Sequence, residues 1–256
     1  MRLGYGNAGF IVACALFLAA WQLVSGAGFW PSYVFPTPAG VFGALAEGAS
    51  GGAFTEGVLA SMKRMLVGFG AALAIGGFLG VLMSQSRALR DSLGPAVLGL
   101  QTLPSICWLP LAVLWFGLSE KAVIFVVLVG AVWSVTMAIS SGVGNVPPLF
   151  INAARTMGAR GWALYSEVII PAALPSIASG VKQGWSFAWR SLMAGELIYY
   201  SAGLGQLLQM GRELNDVNMI AAVMAVIVCI GLIAERAVFG RLEESVRKKW
   251  GLETGS

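Results

Sequence analysis

Residues 122–143 read Ala122-Val-Ile-Phe-Val-Val-Leu-Val-Gly-Ala-Val-Trp-Ser-Val-Thr-Met-Ala-Ile-Ser-Ser-Gly-Val143 and contain no charged side chain. A helix needs about 20 mostly apolar residues to cross the hydrocarbon core of a bilayer, so this stretch predicts a membrane-spanning helix. Working outward, we find other charge-poor stretches of similar length, of which the fifth in chain order is the most polar. The six predicted spans are residues 9–25, 65–86, 95–117, 122–143, 176–200 and 217–236. The predicted fold is an all-α polytopic membrane protein with a single transmembrane domain over residues 1–256.

The composition of the whole chain agrees with lipid as its solvent. Of the 256 residues, 57% are hydrophobic and 11% are charged, whereas soluble domains carry about 25% charged residues. The absence of histidine excludes Ser–His and Cys–His nucleophile pairs and removes the commonest metal ligand. The three cysteines, Cys14, Cys107 and Cys229, lie in apolar runs and predict neither a disulfide framework nor a metal site. We therefore expect no catalytic residue, no metal and no cofactor in this chain.

The distribution of basic residues predicts the orientation of the spans. With both termini inside, ten of the sixteen Lys and Arg residues fall in inner segments, four in outer segments, and Lys182 and Arg190 within the fifth span. The positive-inside rule favours this orientation. The excess of basic residues in the inner segments then accounts for the net charge of +4, and no nucleic-acid partner is needed to explain it. An alternative for residues 9–25 is a signal peptide, although no clear cleavage site follows them.

The orientation divides the remaining chain into an outer loop, an inner loop and an inner tail, which are residues 26–64, 145–174 and 237–256. Within the outer loop, proline and glycine residues bound two amphipathic stretches, residues 39–47 and 54–64. These stretches predict short helices on the outer membrane face, and a plain surface loop is the alternative.

Spans two and three carry different backbone signals. Span two has small residues four apart, which let neighbouring helices approach closely in lipid; they are Gly68, Ala72, Gly76 and Gly80. Span three contains Pro104 and Pro110, each of which removes a backbone hydrogen bond and favours a kink. Broken backbone is tolerated in a membrane where protein or a water-filled cavity surrounds it. The segment with Gln101 and Ser105 is thus a candidate for lining a solute pathway, and simple packing kinks explain it equally well.

The fifth span carries charge at a cost. A basic residue at a helix centre costs roughly 2.5–3.5 kcal/mol on insertion scales, so this span should face protein or water. Lys182, Ser186 and Arg190 share one arc of the helix and form a stripe that could attract an anion. The structural alternative is that Lys182 snorkels to the inner surface and that Arg190 pairs with Glu196 or bonds backbone carbonyls of a neighbouring span.

The inner loop predicts a helix–turn–helix. Pro147 and Pro148 suit a helix start, and Gly158 is placed to end that helix. Residues 160–169 can form a second helix, which Pro171 is expected to stop. Small side chains at Ala153 and Ala154 leave a shallow surface, and Arg155 and Arg160 suit acidic groups on a partner. An interfacial hairpin with snorkelling arginines is the alternative.

The spacing Ala153-Ala154, three residues, Gly158, nine residues, Val168-Ile-Ile-Pro171 resembles the EAA motif of the membrane subunits of binding-protein-dependent ABC importers. Asn152 stands where that family usually has Glu, and Val168 and Ile170 stand where Ile and Leu are usual. Further segments are similar to the nitrate, sulfonate and taurine class, and the resemblance covers about residues 30–250: Ser61-Met-Lys-Arg-Met-Leu-Val-Gly-Phe69, Leu109-Pro-Leu-Ala-Val-Leu-Trp-Phe-Gly117, Ala172-Ala-Leu-Pro-Ser-Ile177, Trp189-Arg190, Gly195-Glu196 and Gly203-Leu-Gly-Gln-Leu-Leu208.

The resemblance implies a six-helix subunit in a bacterial inner membrane, with a cytoplasmic coupling helix between the fourth and fifth spans. It implies a second permease copy, a cytoplasmic ATPase dimer and a periplasmic or lipid-anchored binding protein as partners, besides membrane lipid. The residues that it assigns to ATPase coupling are Asn152, Ala153, Ala154, Arg155, Gly158, Ala159 and Pro171. Those proposed for the path of a small, anionic solute, such as a sulfonate, taurine or nitrate, are Gln101, Ser105, Lys182, Ser186 and Arg190.

Three classes of function compete at this point. A permease subunit of an ATP-driven importer fits the inner loop and the lack of a Gly-x-x-x-x-Gly-Lys-Ser/Thr phosphate loop, since ATP would then be bound by another subunit. A self-contained channel or secondary carrier is the alternative, but inverted-repeat carriers show two similar halves, which this chain lacks. An intramembrane enzyme is disfavoured because there is no histidine and no pair of carboxylates in one span.

Overall fold

The computed structural model describes residues 4–31, 33–199 and 201–249, and within these ranges all regular structure is helical. The α-helices are α1 (Gly4–Gly26), α2 (Pro38–Ser50), α3 (Ala53–Gln85), α4 (Arg87–Thr102), α5 (Leu109–Phe116), α6 (Glu120–Gly144), α7 (Pro148–Thr156), α8 (Gly161–Leu164), α9 (Ile170–Glu196), α10 (Leu204–Glu213), α11 (Val217–Ile233) and α12 (Arg241–Lys249). A 3₁₀ turn (Ser105–Trp108) precedes α5, and π-helical turns precede α9 (Tyr165–Ile169) and α12 (Ala234–Gly240).

The described residues form two compact units, of which the first contains the chain up to residue 60 and residues 201–228. In this unit α1 and α2 pack together, and the indole N–H of Trp21 donates a hydrogen bond of 2.9 Å to the Pro36 carbonyl. Thr37 caps α2, since its hydroxyl accepts from the Gly40 amide at 3.1 Å, and Pro38 follows at the first turn. Both features favour a helix start at this position.

The second unit contains residues 61–199 and 229–249 and is centred on α6. Valine and alanine side chains on most faces of α6 are buried, including Val123, Val126, Val127 and Ala131. Helices α4, α5 and α9 pack around it, and α12 packs on α9. Leu109 and Ala112 of α5 are buried against Ala122 and Val126 of α6.

The small residues of α3 permit its close approach to α6, as the sequence predicts. A Cβ atom on Gly76 would lie 2.7 Å from the Val132 carbonyl oxygen, and one on Gly80 would lie 2.8 Å from the Thr136 carbonyl oxygen. Both distances are shorter than real Cβ contacts, and Ala72, one turn before Gly76, is fully buried. The predicted packing role of this strip is confirmed.

The predicted third span is broken at the predicted proline. Helix α4 ends at Thr102, Leu103 is extended, and Pro104 precedes the 3₁₀ turn that leads into α5. The two helical parts meet at an angle of 93°. Pro110 lies in the first turn of α5, where its missing N–H removes no helical hydrogen bond.

Four helical stretches are long and apolar enough to cross a membrane: Ala53–Gln85, Glu120–Gly144, Gly161–Glu196 and Val217–Val246. The bent pair α4–α5 is a fifth if it forms one span, and α1 supplies a shorter apolar stretch, Val12–Gly26. By length and composition the described residues therefore support four or five crossings. The count of six, the single domain and the membrane side of each loop stay predictions.

Two predicted helix boundaries differ from the structure. Residues 54–64 form the first turns of α3 and not a separate surface helix, because the helix-breaking glycines lie earlier, at Gly51 and Gly52. The expected stop at Pro171 is also wrong, since the helix continues from Gly161 to Glu196. The π-helical turn ends just before Pro171, and its shifted hydrogen bonding accommodates the missing donor.

Candidate functional site

Residues 147–159 contain a short helix, α7, that ends at a glycine turn. Pro147 and Pro148 begin α7, and the amide of Met157 donates to the Ala153 carbonyl at 3.1 Å. Gly158 has φ +95°, a left-handed conformation that glycine adopts at low cost, and lets the Ala159 amide return to the Ala154 carbonyl at 3.0 Å. Both predicted ends of this helix are confirmed.

Ala154 anchors α7 to its neighbours within the second unit. It is buried in a cluster with Val146, Leu164, Ile169 and Ala173, and Ala159 packs against the same cluster. Ala154 was expected on the docking surface beside Ala153, but α7 turns that side chain inward because consecutive residues lie about 100° apart around a helix. Ala154 therefore positions the helix, and only a small part of its surface reaches the groove beside α7.

The outer face of α7 combines exposed apolar and polar side chains. Asn152, Ala153 and Arg155 are exposed, whereas Pro171 is half-buried in α9. Large apolar side chains are also exposed: 73% of Leu149 on α7 is accessible, as are 83% of Met157 just after α7 and 78% of Trp162 in α8. Exposed apolar surface of this kind, rimmed by polar residues, marks an interaction site.

A groove runs between α7 and the π-helical turn that precedes α9. Its volume is about 230 Å³. Its walls are Phe150, Ala153, Ala154, Met157, Glu167, Val168 and Ala172. Glu167 was not among the predicted site residues, because its position becomes meaningful only once the π turn brings residues 165–169 beside α7.

A second cavity lies at the break between α4 and α5. Its volume is about 330 Å³, and its polar lining comes from Gln101, Thr102, Ser105, Arg190 and Ser191. Three of the predicted path residues, Gln101, Ser105 and Arg190, are thus brought together. The remaining walls are Leu100, Leu103, Pro104, Ile106, Val129, Gly130, Trp133, Phe187 and Ala194.

Arg190 is exposed and is held by its own helix. Its Nε donates to the Ser186 carbonyl at 3.1 Å, and its guanidinium lies 4.9 Å from the centre of the Phe187 ring. The alternative in which Arg190 pairs with Glu196 does not hold, because the Glu196 carboxylate pairs with Arg64. No carboxylate of the described residues pairs with Arg190, so its charge remains available to the cavity.

A pair of serines ties the broken segment to α9 beside the arginine. Ser191 Oγ lies 2.6 Å from Ser105 Oγ and 2.7 Å from the Phe187 carbonyl oxygen. Each hydroxyl has one proton, so Ser191 donates to the carbonyl while Ser105 donates to Ser191.

Lys182 and Ser186 lie away from this cavity. Lys182 Nζ is 3.5 Å from Glu235 and 3.8 Å from Glu243, and its side chain is partly exposed. The Ser186 hydroxyl is 3.3 Å from the Lys182 carbonyl of its own helix. The cation–anion cluster supports the structural interpretation of Lys182, and neither Lys182 nor Ser186 lines the cavity.

Sequence reasoning missed a buried ion network in the second unit. Arg64 Nη1 donates to a Glu196 carboxylate oxygen at 2.7 Å, and both side chains are 1% exposed. Ser61 Oγ lies 2.7 Å and 2.9 Å from the two carboxylate oxygens, and Arg64 also reaches Glu120 at 3.1 Å. Arg64 was assigned to the outer loop, whereas it lies inside a packed interface of α3, α6 and α9.

The chain is similar to the membrane subunits of known ABC importers. Residues 72–238 match the family described as binding-protein-dependent transport system inner membrane component. A Methanocaldococcus jannaschii protein that carries an ABC transporter permease name is 35% identical over 188 residues, covering 73% of this chain and 70% of that protein. The taurine transport system permease protein TauC of Escherichia coli is 30% identical over 226 residues, covering 86% of this chain and 82% of TauC.

A chain of the inward-facing MetNI methionine ABC transporter has the same fold. It superimposes with a TM-score of 0.66 at 21% identity and covers 76% of this chain and 96% of the transporter chain. This likeness concerns the fold alone.

The chain belongs to the family of inner-membrane components of binding-protein-dependent ABC importers. It is therefore a multi-pass inner-membrane permease subunit without catalytic activity of its own, and it works with an ATPase and a substrate-binding protein. Family membership favours this function over the alternative of a self-contained channel or secondary carrier. Among the residues that the structure describes, no cluster of His, Cys, Asp and Glu side chains could hold a metal ion.

Proposed function

We propose that this permease carries a small organic or inorganic oxoanion, with sulfonates such as taurine as the leading class, through the cavity at the α4–α5 break. The observation that carries this proposal is the charge of the lining. Arg190 is the single charged residue among the lining residues of the cavity, and none of them is acidic. Nitrate fits the same charge. TauC, whose name specifies taurine, supports the sulfonate class.

The chemistry of the cavity suits an oxoanion. The guanidinium of Arg190 offers a planar fork of donors that matches sulfonate or nitrate oxygens. Hydroxyl and amide groups of Ser105, Thr102 and Gln101 line the same space. A cation in the cavity would be repelled by Arg190, because no acidic residue among the lining residues would offset that charge.

The second part of the proposal concerns coupling. Helix α7, held by Ala154 and closed by the Gly158 turn, serves as the contact through which a cytoplasmic ATPase dimer moves the permease. Asn152, Ala153 and Arg155 face that partner, while Ala159 and Pro171 support the hairpin. The exposed apolar face of α7 supports this role, because such a surface needs a protein partner outside the lipid. Both termini then lie in the cytoplasm.

The proposal also includes a second permease copy, which closes the path beside this one, and a periplasmic or lipid-anchored binding protein, which delivers the solute. Residues 26–52 face that protein in the proposed orientation. Membrane lipid surrounds the apolar faces of both copies.

Uptake of radiolabelled taurine and ATPase activity, measured in the same proteoliposomes, test both parts. Arg190→Gln should lower uptake at least tenfold while the ATPase still co-purifies, and Arg190→Lys should retain part of the uptake because it keeps the charge. Gly158→Val should lose the ATPase, since a β-branched residue at φ +95° costs about 1–3 kcal/mol in this turn. Uptake of taurine or nitrate by Arg190→Gln at the wild-type rate would contradict the anion path, and normal coupling of Gly158→Val would contradict the role of α7.

A further inference from the structure

Glu167 stands alone as a charged group in the groove beside α7. It is exposed on the π-helical turn and is the only charged residue among those that line the groove. The two neighbouring basic residues of the hairpin, Arg155 and Arg160, are exposed, and the described residues show no ion pair between either of them and Glu167. The carboxylate is thus not neutralised by its own hairpin.

The other walls of the groove are apolar. Phe150, Ala153 and Met157 come from α7, and Val168 and Ala172 come from the opposite side. The volume of about 230 Å³ is on the scale of one large side chain. The groove therefore combines an apolar channel with one negative charge at its wall.

This combination selects its occupant. A purely apolar side chain would fill the apolar walls but leave the Glu167 carboxylate without a partner, and desolvation of that charge in a complex would be uncompensated. An acidic side chain would be repelled. A long basic side chain satisfies both features, because its methylene stem packs on apolar walls while its head pairs with the carboxylate. Arginine suits the site better than lysine, since its planar fork binds a carboxylate through two hydrogen bonds and is more weakly hydrated.

We propose that one arginine of the ATPase subunit inserts into this groove and pairs with Glu167. The proposal rests on the coupling role of α7 and adds a reciprocal contact, in which the permease receives a side chain of its partner. Ala153 supplies the small wall that leaves space for the arginine stem. The charge at position 167 then restricts which ATPase subunit this permease accepts.

The test compares Glu167→Arg and Glu167→Gln permeases in nanodiscs by titration with the ATPase subunit. Glu244→Arg is the matched control, because Glu244 is an exposed carboxylate on α12 outside the groove. Loss of a desolvated interfacial charge pair should weaken binding by at least about 30-fold for Glu167→Arg. Glu167→Gln should show a smaller loss, and Glu244→Arg should bind as the wild type does. Binding of Glu167→Arg at wild-type affinity would overturn the proposal.

Rescue identifies the partner residue. Surface arginines of the ATPase subunit are changed to Glu one at a time and paired with the Glu167→Arg permease. One such ATPase variant should bind the Glu167→Arg permease at least tenfold more tightly than the wild-type ATPase subunit does. Failure of every variant to restore binding would overturn the arginine assignment. Gly158→Val separates this proposal from the coupling role of α7. If Gly158→Val loses the ATPase while Glu167→Arg retains it, only the arginine contact fails, and if both variants bind normally, the coupling role fails as well.

Discussion

Removal of the Glu196 carboxylate should destabilise the permease strongly. Glu196 and Arg64 are each 1% exposed, and their charged atoms are 2.7 Å apart. Ser61, which is fully buried, adds a hydroxyl to the same carboxylate at 2.7 Å. Glu196→Ala removes the buried carboxylate that neutralises the buried Arg64 guanidinium. The expected loss in the free energy of unfolding is about 3–5 kcal/mol.

The structure provides an internal control for this magnitude. Glu120 pairs with the same arginine at 3.1 Å, but its side chain is 43% exposed. Exposed ion pairs contribute about 0–1 kcal/mol, so Glu120→Ala should cost much less than Glu196→Ala. The double variant Arg64→Met/Glu196→Met replaces the buried pair by apolar side chains and should be more stable than either single variant.

Equilibrium unfolding in mixed detergent micelles, followed by tryptophan fluorescence, measures these free energies. Three results would refute the reasoning. The first is equal destabilisation by Glu196→Ala and Glu120→Ala, and the second is a loss below about 1 kcal/mol for Glu196→Ala. The third is a loss of unfolding free energy in the Arg64→Met/Glu196→Met variant that equals the sum of the losses in its two single variants.

Two further predictions concern packing and surface charge. Gly76→Leu should prevent the close approach of α3 and α6, so the variant should lose its monodisperse peak in size-exclusion chromatography. Gly70→Leu is the control and should be tolerated, because a Cβ at Gly70 would meet nothing within 4 Å. Equal yields of both variants would contradict the packing role of the strip. Lys182→Gln should change the free energy of unfolding by less than about 1 kcal/mol and leave uptake unchanged, since Lys182 pairs with partly exposed Glu235 and Glu243; a large fall in uptake would return Lys182 to the solute path.

The local signals in the sequence predicted much of the fold. Pro104 predicted the break that separates α4 from α5, and Gly158 predicted the turn after α7, because these residues constrain the backbone whatever surrounds them. The spacing of Gly76 and Gly80 predicted a packing face, since small residues four apart share one side of a helix.

Features that depend on contacts between distant segments were not predictable in the same way. Arg64 and Glu196 are separated by 132 positions, and the charge of Arg64 suggested a loop until the partner was visible. Ala153 and Ala154 are equivalent by residue type. Only the packing of α7 against its neighbours within the second unit shows that Ala154 is buried and Ala153 is exposed. Glu167 gained its place in the groove through a π turn, for which the sequence has no simple periodic signal.

The most direct test of the account measures concentrative taurine uptake into proteoliposomes that contain the permease, with its binding protein supplied at the delivery face. The ATPase subunit is either included or omitted. The account predicts uphill uptake only when the ATPase and ATP are present on the α7 side of the membrane, and no uptake against a gradient without them. Uphill uptake at an undiminished rate by the permease alone would contradict it.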